Sequence, residues 1–414
     1  MRTALVGIVA LLSTACAGAP SLVKGTVAPG FEEVRAEMDR NLRERGERGA
    51  AVAVYLRGAK VVDLWGGEAD AAHRPWREDT MVPVFSTTKG LAALAVAVAH
   101  ARGLLDYDAP VARYWPEFAA SGKERVTVRQ LLAHEAGLVL LDEPLPYDVV
   151  RDLDATARVL ARQRPAWPPG TRHGYHLSTL GLYLNELVRR VDPARRSLGR
   201  FFADEIARPL GADVVIGAPP SLDPARVARV ELPTPAGGLA HLLDPPGPVL
   251  ARLLSPSSTF TRSMAIPAGY DANDPRWWAV ELPSGNGLGT ARAIARVYGA
   301  FAAGGAELGV GRATLDELEA PPRTPPAGDL DEVLGVDARY GLGFAKPSPL
   351  PEWGSSQRAY GMFGAGGSFA FADPDRQVGY AYVMNRMGYC LDDDPREVAL
   401  RDAVARAVER LAAP

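Results

Sequence analysis

Val82-Pro83-Val84-Phe85-Ser86-Thr87-Thr88-Lys89-Gly90 leads from an extended run into the almost wholly apolar stretch Gly90 to Ala99, which Gly103 closes. The pattern predicts a strand-like approach and then a buried helix with Ser86 at its N-terminus. Residues three apart on a helix share a face, so the Lys89 amine reaches the Ser86 hydroxyl. Burial disfavours an ammonium and lowers its pKa, which lets a neutral amine take the serine proton. The helix N-terminal N–H groups favour the negative charge that develops during acyl transfer. A second use of the same residues is an N-cap serine with Lys89 reaching into solvent. The spacing recurs at Ser21-Leu22-Val23-Lys24, in a segment expected to be exposed ahead of the first helix.

Two further stretches carry chemistry. Trp167-Pro168-Pro169-Gly170-Thr171-Arg172-His173-Gly174-Tyr175-His176 is a Pro/Gly turn that delivers an aromatic hydroxyl ahead of a helix expected over 177–191. A tyrosine beside an ammonium is biased toward phenolate and could relay the serine proton to a leaving group. Gly361-Met362-Phe363-Gly364-Ala365-Gly366-Gly367-Ser368 runs into a strand over 369–372. Glycines at such a place mark close backbone approach of a ligand, or a plain bulge. The run lacks the Lys-Ser/Thr of a phosphate loop and precedes a strand where dinucleotide motifs need a helix.

Farther out, Phe31, Val34, Met38 and Leu42 recur at helical spacing, and Ala51 to Leu56 and Lys60 to Trp65 flank Arg57-Gly58-Ala59 as a hairpin. The C-terminal part mirrors this order, with strands expected over 340–344, 368–372 and 378–384 and a helix over 395–411. One antiparallel sheet built from both ends, flanked by the terminal helices, is the economical arrangement. The middle reads as a mostly helical lobe. The expected division is a sheet lobe from 25–85 with 290–414 and a helical lobe over 86–289. Within the latter, 210–289 is rich in Pro, Gly and Ser and carries Trp277, Trp278 and the apolar Val249 to Leu254. A loop region this long is read as a cover over the site or as a structural excursion.

Together the three motifs resemble the serine β-lactamase and penicillin-binding-protein superfamily. The likeness is nearest to class C β-lactamases and their related family VIII, or EstB-like, carboxylesterases. It extends to Trp65-Gly66-Gly67, Leu104 to Trp115, Leu131 to Leu138, Asn286 to Arg292 and Gly364 to Asn385. The resemblance implies an α/β (α+β) fold with the site between the two lobes. It implies Ser86 as nucleophile, Lys89 as its partner and Tyr175 as the tyrosine of the second motif. The N–H groups of Ser86 and Ala365 would form the oxyanion hole, with Met362, Phe363, Gly364 and Gly366 at the substrate. His134 matches a structural position. Two departures stand out: Leu177 replaces an Asn two residues after the tyrosine, and Met362 replaces the cation that opens the third motif. Without that cation a substrate carboxylate loses its usual partner. The expectation is a carboxylesterase on small neutral esters. A D,D-peptidase, a weak β-lactamase, an acyltransferase and a slow-turnover penicillin-recognition module are the alternatives.

Composition points to a small or uncharged partner. The 414 residues are 47% apolar and carry a formal net charge of -3, so no field steers the chain toward nucleic acid. Two cysteines, Cys16 and Cys390, suffice neither for a disulfide framework nor for a zinc site, and no metal or cofactor is expected. Arg2, the apolar Ala4 to Leu12 and Ser13-Thr14-Ala15 read as a signal segment over 1–16, with Cys16 a candidate lipid-bearing residue that would attach the protein to a membrane. The expected partner is a small ester or lactam-like molecule; the oligomeric state is not legible.

Overall fold

The computed structural model describes residues 21–233, 247–347, 353–390 and 392–412. Residues 1–16, expected as a signal segment, and with them Cys16 lie outside the described residues. Strands β1 (Val23–Val27), β2 (Gly49–Leu56), β3 (Ala59–Gly67), β7 (Tyr340–Gly341), β8 (Phe344–Ala345), β9 (Tyr360–Phe363), β10 (Phe369–Asp373) and β11 (Val378–Met384) form an antiparallel sheet. Its order is β1-β3-β2-β11-β10-β9-β8-β7, so N- and C-terminal strands meet at β2 and β11. A second sheet joins three two-residue strands, β4 (Val82–Pro83), β5 (Val214–Val215) and β6 (Leu288–Gly289), in the order β4-β6-β5.

The alternation of β2 assigns the two faces of the large sheet. Ala50, Val52 and Val54 share a core with Phe31, Val34 and Met38 of the N-terminal helix region, α1 being Glu32–Glu44, and with Leu400 and Val404 of the C-terminal helix. Ala51 and Ala53 face the other way, into the core that holds Ile294, Val297 and Tyr298. Small residues belong on that face because a helix presses onto it: a Cβ on Gly379 of β11 would stand 2.2 Å from the Gly299 nitrogen. Such a strand, buried on both faces, carries an unbroken apolar run.

Helix α2 (Thr87–Ala101) runs through the middle of the larger core. Leu91, Leu94, Val96 and Val98 are wholly buried, and each contributes roughly 1.5–3 kcal/mol by leaving water. The remaining helices that position the site are α3 (Leu180–Val191), α4 (Gly247–Leu253), α5 (Thr259–Met264), α6 (Ala291–Ala302) and α7 (Pro395–Ala412). Among the described residues no helix is long and apolar enough to cross a membrane.

Three expectations need correction. The segment 340–344 is a tight hairpin of β7 and β8 because Leu342 and Gly343 both take left-handed φ, 45° and 90°. The helix expected from Leu177 begins at Leu180. Ser21 to Lys24, expected as an exposed lead-in, runs into the edge strand Val23–Val27 on β3, although Ser21 itself is exposed as expected and bonds Asp39 at 3.0 Å.

Candidate active site

The Ser86 turn is fixed from both sides. β4 pairs with β6, Val84 N–H donates to Gly287 O at 2.9 Å, and Gly287 N–H donates to Thr88 Oγ1 at 2.9 Å. Between strand and helix Phe85 takes a φ of 45°, in the left-handed region that L-residues avoid at a cost of roughly 1–3 kcal/mol. That reversal brings Ser86 onto the wall of a cavity. Ser86 itself has helical φ and ψ, and its side chain caps nothing, so the N-cap use of this serine is not realised.

Lys89 is fully buried, and its Nζ lies 3.0 Å from Ser86 Oγ. The same nitrogen donates to Leu177 O at 2.6 Å and to Ser284 O at 2.9 Å. Burial alone holds its pKa well below the ordinary lysine range. Nζ also stands 4.7 Å from the centroid of the Tyr175 ring, over its face and away from a direct bond with its oxygen.

Tyr175 comes to the site by long-range hydrogen bonding. Its N–H donates to Asp331 Oδ2 at 2.8 Å, and the same oxygen accepts from Tyr340 Oη at 2.8 Å. The Tyr340 ring lies nearly parallel to that of Tyr175, 5.9 Å away, and His134 lies against the Tyr175 ring at 4.9 Å. Tyr175 Oη donates to Met362 Sδ at 3.8 Å. Burial pushes the phenol up from its ordinary value, the Ser86 side chain beside it opposes this, and the Asp331 carboxylate adds to the rise. The expected phenolate bias is therefore wrong for this protein: the amine over the ring is itself driven toward neutrality, so desolvation prevails.

His134 Nδ1 accepts from His176 N–H at 3.0 Å, and His176 Nε2 accepts from Leu138 N–H at 3.0 Å. Burial holds both rings neutral, His134 well below the ordinary value and His176 at about 4. They brace the turn that carries Tyr175.

The third motif faces Ser86. Thr87 Oγ1 and Ser368 Oγ are 3.0 Å apart, and Ser368 Oγ donates to Val84 O at 3.0 Å, tying the start of α2 to the β9–β10 turn. Ser86 and Ala365 both line the cavity, and among the described residues their backbone N–H groups have no hydrogen-bond partner. Met362 and Phe363 line the cavity too. Gly364 and Gly366, expected at the substrate, do not. A Cβ on Gly364 would stand 2.2 Å from Ser368 Oγ, so that glycine permits the close turn. Gly366, at φ 85°, sends its carbonyl to Gly388 N–H at 2.9 Å and Arg396 Nη2 at 3.1 Å.

The cavity measures about 300 Å³. Its apolar wall includes Leu177, Val249, Phe260, Leu334, Met362 and Phe363. The cover segment contributes Val249, Phe260 and Met264, whereas Trp277 is buried in the core and neither it nor Trp278 reaches the wall. The wall's cations are committed elsewhere: Arg339 pairs with Asp329 at 3.4 Å, and Lys346 Nζ donates to Leu318 O at 3.0 Å. Asp337, Asp392 and Asp393 also line it. Among the described residues no group of three or more His, Cys, Asp or Glu is placed to hold a metal ion.

Sequence reasoning missed Asp331, Tyr340, Ser284 and Ser368. The first offers no local signal, because the bond from Tyr175 to Asp331 spans 156 residues of chain.

Comparison with known proteins adds to this geometry. A family model described as beta-lactamase matches residues 34–405. The chain is 36% identical over 346 residues to the esterase/beta-lactamase LipL of Mycobacterium tuberculosis, an alignment covering 82% of this chain and 77% of that protein. The crystal structure of a family VIII carboxylesterase superposes with a TM-score of 0.81 at 37% identity, over 93% of this chain and 99% of the other. A penicillin-binding-protein homologue from Caulobacter crescentus does so with a TM-score of 0.80, also at 37% identity and with the same coverage.

Proposed function

The chain belongs to the beta-lactamase family, and on that premise we propose that it is a serine hydrolase that cleaves small neutral carboxylic esters through an acyl-enzyme on Ser86. One observation carries the reading: Lys89 Nζ meets two backbone carbonyls and the Ser86 hydroxyl, with no carboxylate among the described residues to hold it charged. A neutral amine has two N–H groups and one lone pair. The carbonyls of Leu177 and Ser284 take the two N–H groups, and the lone pair is left for the serine O–H.

In the first half-reaction Lys89 accepts the Ser86 proton as Oγ bonds to the ester carbonyl carbon. The carbonyl oxygen becomes an oxyanion that the Ser86 and Ala365 N–H groups stabilise. Tyr175, kept as a phenol, donates its proton to the departing alkoxide, the C–O bond breaks, and the alcohol leaves. The proton on Lys89 reaches the phenol oxygen through the incoming water, because Nζ and the phenol are out of direct contact, and water then repeats the sequence to release the acid.

The apolar wall and the committed cations support an uncharged substrate over a carboxylated one. The likeness to the Caulobacter penicillin-binding-protein homologue supports a second reading, slow turnover after acylation. Steady-state hydrolysis of p-nitrophenyl butyrate separates the two, because a recognition module gives one burst equal to the enzyme concentration. Ser86→Ala should abolish both turnover and fluorophosphonate labelling, and Tyr175→Phe should lower kcat on the order of 100- to 10,000-fold. A Tyr175→Phe enzyme within threefold of wild type would exclude the tyrosine from proton transfer. The proposal includes a division into a sheet lobe (25–85 with 290–414) and a helical lobe (86–289) that meet at the site. It also includes export by the 1–16 segment, with lipid on Cys16 as an envelope anchor.

A further inference from the structure

The two cover helices have an outer face that the esterase reading leaves unused. Seven large apolar side chains are exposed among the described residues, and three of them, Leu253, Leu254 and Met264, at 44, 69 and 52% exposure, lie on or just after α4 and α5. The helices are clasped to one another: Ser258 Oγ donates to Arg252 O at 2.7 Å, and Thr261 Oγ1 donates to the same carbonyl at 2.9 Å. The inner side of this unit gives Val249, Phe260 and Met264 to the cavity. Met264 is thus at once on the cavity wall and half exposed, so the apolar surface continues from the interior out onto the cover. Exposed apolar surface of this kind at a cavity mouth marks a contact site.

Charge says what kind of surface the contact meets. From Gly247 to Met264 the sequence contains Arg252 and Arg262 and no acidic residue, in a chain whose net charge is -3. Arg262 is exposed and has no ion-pair partner among the described residues. Arg252 turns back to Pro248 O at 3.2 Å and lies against Gly335, which leaves Arg262 as the outward guanidinium; exposed leucines beside such a group suit the interfacial region of a bilayer, apolar side chains among the acyl chains and the guanidinium at the phosphates. The carboxylates Asp337, Asp392 and Asp393 belong to other segments of the cavity wall. At the cavity, attraction to phosphate therefore comes from the α4–α5 edge, and the docking it supports is reversible.

We propose that the α4–α5 cover docks on an anionic phospholipid surface, so that the cavity opens onto esters dissolved in or aggregated at a lipid–water interface. The proposal rests on the esterase reading for its substrate, while the docking stands on the cover alone.

The test compares the full chain with its Leu253→Ser/Leu254→Ser variant, both in a Cys16→Ser background so that acylation cannot supply the binding. Co-sedimentation with phosphatidylcholine vesicles containing roughly one-third phosphatidylglycerol should be weakened at least about tenfold by the double substitution. Arg262→Gln should weaken it roughly fivefold at low salt and less at high salt. Neither leucine lines the cavity, so hydrolysis of monomeric p-nitrophenyl acetate should stay within twofold, while hydrolysis of a tributyrin emulsion falls with vesicle binding. Vesicle binding that is absent in the parent, or equal in parent and double variant, overturns the proposal. So does a double variant that changes only the mass measured by sedimentation equilibrium, which would assign the patch to a second copy of the chain. If soluble ester is untouched by the parent while vesicles are still bound through the leucines, the esterase reading fails and the docking stands.

Discussion

The proposed preference for an uncharged substrate turns on a single side chain, Met362. It is 3% exposed, accepts a bond from Tyr175 Oη, and its Cβ would stand only 3.2 Å from a Cβ placed on Gly90 of α2. A thioether offers dispersion and a weak acceptor where a lysine would offer a charge-assisted donor. Met362→Lys should therefore raise kcat/KM for nitrocefin relative to p-nitrophenyl butyrate by roughly ten- to a hundredfold, mostly through KM, as one such bond contributes ~1.5–3 kcal/mol. A ratio that stays at the wild-type value in a folded variant would shift the discrimination to the wall carboxylates. Ser86 and Lys89 were legible in the sequence because three residues on one helix bring the two groups together whatever the rest of the chain does. Tyr175 was legible as a motif, but its ionisation was not. That depends on burial and on Asp331, and neither leaves a mark near residue 175.

At the level of elements, the late start of α3 shows where local pattern yields to the site. A helix from Leu177 would need Gly181 N–H to bond Leu177 O; here Lys89 Nζ takes the carbonyl at 2.6 Å and Ser284 Oγ takes the N–H at 2.6 Å. Helical periodicity over 177–191 was real, and its first turn was spent on the active-site lysine. The β9–β10 turn is braced in a comparable way from α7. Arg396 donates to Gly366 O and, through Nη1, to Arg386 O at 2.9 Å, with Asp394 and Glu47 closing the buried cluster. Arg401 on the same helix is buried to a similar degree but pairs with Glu397 and Asp393 and does not bond the turn. Loss of the Arg396 brace should therefore misplace the Ala365 N–H by a fraction of an ångström to an ångström, a shift able to cost about a hundredfold in rate. Arg396→Gln is expected to lower kcat for p-nitrophenyl butyrate ten- to a hundredfold with KM nearly unchanged, and Arg401→Gln to leave kcat within threefold while lowering stability. Active sites would be counted by fluorophosphonate titration below the unfolding midpoint, so that a smaller folded fraction does not imitate a smaller kcat. Equal losses in the two variants would reduce Arg396 to a general support of the fold.

For the molecule as a whole, the large sheet was legible from its two ends because β2, β3, β10 and β11 are long enough to show an apolar pattern, whereas the β4-β6-β5 sheet has strands of two residues and no period to find. Its existence depends on contacts between residues near 82, 214 and 288 that only the finished core brings together. The same core makes stability depend on pH through a residue of the cavity wall. Lys346 is 3% exposed, and burial pushes its pKa from 10.5 down to about 7, against a smaller opposing pull from Glu319. Between those two values the unfolded chain holds a proton that the folded chain has released, so folding gains stability as pH rises. The cost of the buried ammonium is fully present below pH ~7 and disappears as pH approaches ~10.5, a change on the order of 5 kcal/mol, most of it between pH 7 and pH 10. Lys346→Met removes the titration. It also strips the Leu318 and Arg358 carbonyls of a donor, so its stability at one pH has no fixed sign; only the pH dependence of its difference from wild type does. Urea unfolding at pH 7 and pH 10 should show wild type gaining on the variant by that amount across the window, and curves that move in parallel would mean that Lys346 keeps its proton when buried. The same deprotonation removes positive charge from the cavity wall, so under the proposed preference for uncharged esters the pH range that favours the fold also weakens any hold on a carboxylated substrate.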